Sequence, residues 1–155
     1  MRWWIMAVGA AGLWAQRPQP IPFSHKTHAV TARLRCADCH TMPAPGDLAT
    51  IPKEDKCMAC HQAIKADSPA IRKLAAFHKQ GKPVPWVRIY QVAEYVVFSH
   101  DLHHRRAAIG CETCHGKVAE QDTLWREKST SMKACMDCHD ERRASNECNV
   151  CHQPF

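Results

Sequence analysis

No cysteine in this chain of 155 residues stands outside one repeated pattern, and no apolar run is long enough to cross a bilayer. The longest such run, Trp3 to Ala15, would form a helix of about 20 Å, short of the roughly 30 Å hydrocarbon core. With Arg2 before it and the polar, proline-rich QRPQPIP after it, the segment 1–15 reads as a secretory signal peptide and places the mature chain in the periplasm. No cysteine lies near residue 15, so lipid anchoring at that junction is not indicated.

Ten cysteines in an exported chain would ordinarily predict a disulfide scaffold. Their spacing excludes it, because every one belongs to a C-x-x-C-H unit: Cys36, Cys39 and His40; Cys57, Cys60 and His61; Cys111, Cys114 and His115; Cys135, Cys138 and His139; Cys148, Cys151 and His152. A disulfide framework has no use for a histidine after each second cysteine. Zinc ribbons pair their C-x-x-C units into four-ligand sites, and five units leave one without a mate. The pattern is the attachment signature of haem c. Two cysteines three apart on one helical turn can each form a thioether to the same porphyrin, and the next residue turns its imidazole toward the iron. The expectation is therefore five covalently attached haem c groups.

After residue 15 each haem has about 28 residues to surround it, too few for an ordinary apolar core. The haems must supply most of the core themselves, packed near one another and stapled by their thioethers. Lys plus Arg outnumber Asp plus Glu by 21 to 15, but ionised propionates offset that excess. The protein would be near neutral with ferric haems and more negative with ferrous ones, so nucleic acid is not an expected partner.

The chain also repeats itself. FSHKTH at 23–28 returns as FSHDLH at 98–103, and His25, His28, Cys36 and His40 recur as His100, His103, Cys111 and His115, each 75 positions on. Cys57 and His61 recur 78 positions on as Cys135 and His139. This divides the chain into the signal peptide, a dihaem module at 16–66, a helix and connector at 67–97, and a module at 98–155 that carries three haems. A low-spin iron takes a second axial ligand opposite the C-x-x-C-H imidazole. Histidines at i and i+3 cannot share one free position, so each pair must serve two irons. His25, His28, His100 and His103 thus form two brackets, each holding two haems together.

Four bracket histidines leave one of five irons without a sixth ligand. Three candidates remain: His104, directly after a bracket; His78, on the inward apolar face of a helix with Ile71, Leu74 and Ala75; and Met132, in SMKACMDCH. That helix is delimited by Ser68 as N-cap, Pro69 in its first turn, Gly81 as terminator and Pro83 beyond. Val87, Ile89 and Tyr95 to Phe98 predict an extended, partly buried connector, while TMPAPGDLATIP and DERRASNE read as loops. The fold class is mainly α, with much irregular structure, short helices at the haem motifs and little sheet.

The brackets ahead of CADCH and CETCH resemble those of the class III multihaem cytochromes c. That resemblance implies a compact fold of two related modules around a haem core. It also implies that His25 serves the haem of His40 and His100 that of His115, with His28 and His103 serving those of His61 and His139. Triheme members of the family place a further distal ligand just before the middle motif, nearly where Met132 stands, although they have histidine there. TIPKEDKCMACH, ADSPAIRKL, GKPVPWVRIY, VFSHDLHHRRAAIGCETCHGKV and STSMKACMDCH further resemble the pentahaem subunit of alternative complex III, a quinol-oxidising membrane assembly. This implies other redox proteins as partners, among them an iron–sulfur and molybdopterin-type subunit and polytopic membrane subunits. The chain is more compact than those subunits, with Cys148 only nine positions after His139.

Electron transfer, without a small-molecule substrate, is the function expected. A multihaem reductase would need an open coordination site, and the chain has a distal ligand for every haem and no variant motif such as C-x-x-C-K. A structural, polymer-forming haem protein is the third class.

Overall fold

The computed structural model describes residues 18–152; the signal-peptide reading of 1–15 lies outside them. Six helices follow in order: α1 (Cys36–Cys39), α2 (Glu54–His61), α3 (Pro69–Gln80), α4 (Cys111–His115), α5 (Met132–Arg142) and α6 (Cys148–Cys151). Each of five carries one C-x-x-C pair, and α3 carries none. A single wide π turn carries the second histidine of each bracket, His28 in Thr27–Thr31 and His103 in Asp101–Arg106. Among the described residues the sheet content is one isolated bridge, Val96 to His152.

The signals for α3 act as the sequence predicts. The Ser68 hydroxyl accepts from the amide of Ile71 at 3.2 Å, satisfying one of the unpaired donors at the helix start. Pro69 fills the first position, and Gly81 ends the helix in the left-handed region at φ 62°. The inward face differs from the expectation. Leu74 is buried, with Ala70, Ile71 and Phe77 packed around it, whereas His78 lies at the rim, its side chain 43% exposed and Nδ1 2.9 Å from Asp55. At the C-terminal end of α3 the apolar stripe passes through Phe77, which leaves His78 beside α2 rather than under it.

A second difference is at α5, which runs past its haem motif to Arg142, so the first three residues of DERRASNE are helical. Ser131 caps it, accepting from the amide of Ala134 at 3.3 Å. Lys133 pairs with Asp137 one turn on at 2.7 Å, an arrangement that supports an exposed helix. The helix stops where Arg143 turns left-handed at φ 55°.

The buried apolar core among the described residues is Ile21, Leu74 and Val84. The connector runs extended beside it. Gln19 clamps Val87 from both sides, donating to its carbonyl at 2.8 Å and accepting from its amide at 2.9 Å. Glu54 accepts from the amide of Val84 at 2.7 Å.

The local backbone bonds of the two brackets repeat. His28 and His103 each donate a backbone amide to the carbonyl of Ser24 or Ser99, at 3.4 and 3.3 Å; Ala32 and Ala107 close their turns at 2.9 Å; Leu34 and Ile109 donate to the carbonyls of His28 and His103 at 3.0 Å. Arg33 and Ala108 both turn left-handed, at φ 55° and 53°. The second bracket rests on the loop after α1, where Gly46 takes φ +95° and a Cβ would lie 2.6 Å from that of Asp101.

Two glycine substitutions separate backbone strain from this close approach. Gly81→Ala meets nothing within 4 Å and should cost only its left-handed conformation, about 1–2 kcal/mol. Gly46→Ala must also displace Asp101 and should cost about 3 kcal/mol or more. Thermal midpoints from far-UV circular dichroism check this: Gly46→Ala should fall clearly further, and equal shifts would contradict the contact.

Candidate haem sites

Three-residue spacing on a helical turn puts both sulfurs of each motif on one side. None of the ten cysteines is paired in a disulfide, and each is exposed or half-buried. No three described His, Cys, Asp or Glu side chains converge as a tetrahedral metal site requires. Histidine rings come instead in pairs. His25 and His40 stand 6.4 Å apart between centroids and 14° from parallel; His100 and His115 stand 6.4 Å apart at 6°; His103 and His139 stand 6.1 Å apart at 25°; His28 and His61 stand 6.0 Å apart at 63°. Two metal–nitrogen bonds of roughly 2.0 Å, plus about 1.1 Å from each nitrogen to its ring centre, call for a separation of about 6.2 Å. All four pairs fit an iron held between two imidazoles. They are the pairs that the resemblance implies.

What aims these rings is local. The Nδ1 atoms of His28, His40, His61, His100, His103 and His139 face the carbonyls of Ser24, Thr50, Ile64, Asp47, Ser99 and Ser145 at 2.7–2.9 Å. A carbonyl can only accept, so Nδ1 carries the proton and Nε2 presents its lone pair, the tautomer a metal requires. Burial, with His40 and then His28 nearby, pulls His25 down to about 4. Burial, with His100 and His40 nearby, also lowers His115. Neutral imidazole is the form that ligates.

The phenylalanine opening each bracket is a feature the sequence reading left unassigned. Phe23 stacks on His28 at 4.4 Å and meets His25 edge-on at 4.9 Å, and Phe98 does the same with His103 at 4.5 Å and His100 at 4.9 Å. The ring is a wedge that separates the directions of two imidazoles three residues apart. Its recurrence in both copies of FSH was the available signal. Tyr90 was missed as well. Its hydroxyl donates to the carbonyl of His115 at 2.8 Å and accepts from the amide of Glu127 at 2.9 Å, with its ring edge-on to His115 at 4.7 Å. A lone tyrosine in a connector gives no sequence signal for this.

His152 is placed differently. The amide of Val97 donates to Cys151 at 2.8 Å, and the Tyr95 ring lies 5.7 Å from His152. Among the described residues no second imidazole faces His152 as in the four pairs. Of the three candidates for that position, His104 directs Nδ1 at the Ile109 carbonyl at 2.9 Å, the same arrangement that aims the paired imidazoles, and His78 places Nδ1 2.9 Å from Asp55. Met132 sits at the first position of α5, 67% exposed and one turn before Cys135.

Residues 7–87 match the class III cytochrome c family, and residues 96–153 match cytochrome c7 and related cytochromes c. The chain is also similar to the multihaem cytochrome c subunit of menaquinone reductase from Nitratidesulfovibrio vulgaris, 30% identical over 167 residues that cover 91% of this chain and 80% of the relative. With four imidazole pairs spaced for iron and both halves matching, the chain belongs to the class III family of multihaem cytochromes c.

Proposed function

We propose that this protein is a periplasmic pentahaem electron carrier that works as a subunit of a quinone-linked membrane complex. The observation that carries it is the set of four ring pairs 6.0–6.4 Å apart. Such pairs would hold a haem iron from both sides, and a group so held would supply electron exchange without binding a substrate. The dihaem module at 16–66 would use His25 with His40 and His28 with His61. The connector at 67–97 would join it to the trihaem module at 98–155, using His100 with His115 and His103 with His139. The fifth haem, on Cys148, Cys151 and His152, would take Met132.

Haem c supplies a one-electron couple whose potential follows its axial ligands and surroundings. The chain's own part is to hold each imidazole neutral and aimed, to bring the motifs close, and to present their edges to partners. The family match supports electron transfer, and the menaquinone reductase relative supports a quinone-linked assembly. The likeness to the pentahaem subunit of alternative complex III supports partners of the iron–sulfur, molybdopterin-type and polytopic membrane kinds. No helix among the described residues is long and apolar enough to cross a membrane, so attachment would come through those subunits. The second reading, a multihaem reductase enzyme, draws on the relative's being a reductase subunit. It requires an open iron.

The test is protein matured with a haem-attachment system. Its mass should show five thioether-bound haems, carbon monoxide should bind poorly, and nitrite and hydroxylamine should not turn over at enzymatic rates. Fewer than five haems would reject the count, and rapid turnover would move the protein to the reductase class.

The bracket assignments are tested one at a time. His28→Ala and His103→Ala should each convert one haem to the high-spin state and let it bind carbon monoxide, read by electron paramagnetic resonance and visible spectra. Haems that all stay low-spin in both variants would contradict the pairing.

Met132 is tested through its sulfur. Thioether ligation favours ferrous iron over a second imidazole and raises the potential. A methionine-to-ferric charge-transfer band in the red should be present in the wild type and lost in Met132→His, together with a fall in the highest of the five potentials. A band that is missing from the wild type, or survives the substitution, would pass the ligand to His104, His78 or another methionine.

A further inference from the structure

Positions 75 apart in the sequence do more than adopt the same local shape. They meet each other. Cys111 lies within electrostatic reach of Cys36, and His115 within reach of His40; both are encounters of a residue with its own repeat. The backbone bonds between the modules are reciprocal as well. The amide of Asp101 donates to the carbonyl of Gly46 at 2.9 Å, and the amide of Lys26 donates to the carbonyl of Gln121 at 3.1 Å. Lys26 and Asp101 are equivalent positions, and so are Gly46 and Gln121. An interface in which residue i meets j while the copy of i meets the copy of j is isologous, and a two-fold axis is what generates it.

We infer that the two modules are related by a two-fold pseudo-axis passing between the motifs of His40 and His115, and that the five haem motifs stand in one unbranched row: His61, His40, His115, His139, His152. The row rests on the five-haem reading above. Its outer links are within modules. The bracket His25 and His28 faces His40 and His61, and the bracket His100 and His103 faces His115 and His139. Cys57 lies within reach of Cys39, and Cys114 within reach of Cys138. The axis supplies the central link. The last link is local: Cys135 lies within reach of Cys151, and Asn146, in the short loop before α6, donates to the carbonyl of Met136 and the carboxylate of Asp140.

The symmetry is broken at the central histidines. His40 directs Nδ1 at the carbonyl of Thr50 at 2.8 Å, and His100 reaches the carbonyl of Asp47 with both Nδ1, at 2.8 Å, and its backbone amide, at 3.3 Å. The position equivalent to Asp47 is Asp122, but its side chain takes the Ser24 hydroxyl at 2.8 Å and Lys26 at 3.8 Å, and Nδ1 of His25 is buried without a partner among the described residues. The row is therefore unequal at its centre, and the motif of Cys148, Cys151 and His152, which has no counterpart in the first module, makes its ends unequal as well. Partners that deliver or remove electrons should dock at the His61 end and the His152 end, and the central pair should exchange electrons only with its neighbours in the row.

Diffraction from crystals of the mature wild-type protein at the iron absorption edge tests this directly. A rotation of about 180° should map the His40 iron onto the His115 iron and the His61 iron onto the His139 iron, with the His61 and His152 irons each having one near neighbour. Five irons in another order, or an end iron with two near neighbours, would overturn the row alone. A mass showing fewer than five haems in the same preparation would overturn the five-haem reading and the row with it.

Discussion

A hydrogen bond from imidazole Nδ1 to a backbone carbonyl, made by six of the eight paired imidazoles, is the interaction on which the rest of this molecule depends. Each bond fixes three things together: which nitrogen is protonated, which way the ring faces, and how far it stands from the opposite ring. None of them needs a large core. A backbone carbonyl is positioned by the local chain, so a π turn or a short loop suffices to aim a ligand. This is how a chain with three buried apolar side chains among the described residues can hold eight imidazoles in four pairs. The wedge of Phe23 or Phe98 completes the device, since two rings on one turn would otherwise point the same way.

The same economy explains the sparse secondary structure. Helices α1, α4 and α6 are four or five residues long, and α1 and α6 are hardly more than the turn that places two cysteines side by side. Isolated helices of that length are not stable in water. On the reading proposed here, the thioethers and the metal bonds tie each turn to a macrocycle, and the macrocycles pack where another protein would place leucine and valine. Small scaffolds need such staples because their own apolar area is insufficient. The two helices that pack conventionally, α2 and α3, gather around the Leu74 cluster, which also holds the start of the connector at Val84.

Much of this was legible in the sequence because the chemistry demands rigid spacing. C-x-x-C-H leaves no freedom over which residues face one ring, and F-x-H-x-x-H repeated at 75 positions identified both brackets before any geometry. The capped helix α3 was legible for the same reason: Ser68, Pro69 and Gly81 act through backbone geometry alone. What escaped were features set by packing between distant segments. His78 lies on the apolar stripe by helical count, yet the neighbouring α2 decides that Phe77 turns inward and that His78 meets Asp55. The continuation of α5 through Arg142 was hidden because DERRASNE has the composition of a loop, while the Ser131 cap and the Lys133 to Asp137 pair act from the helix's other end. Tyr90 was invisible because its role is defined by the carbonyl of His115 and the amide of Glu127, neither of them near it in sequence.

Duplication alone would give a wire without direction. Two equivalent modules joined back to back present the same kind of haem at both ends, and such a row passes electrons equally well either way. Two departures from symmetry remove that equivalence. At the centre, His100 shares its proton with Asp47 while Nδ1 of His25 has no such partner. In the His25–His40 pair it is His40 whose Nδ1 is bonded, to the Thr50 carbonyl at 2.8 Å, so the carbonyl aims the motif histidine in one central pair and the bracket histidine in the other. At the end, the motif of Cys148, Cys151 and His152 has no counterpart in the first module, and no second imidazole is set against it among the described residues. On the proposed reading this extra site, ligated by sulfur rather than by a second imidazole, has the highest potential of the row. A symmetric pair of dihaem modules then becomes a carrier with a receiving end at His61 and a draining end at His152, and the asymmetry lies in the residues appended after the repeat.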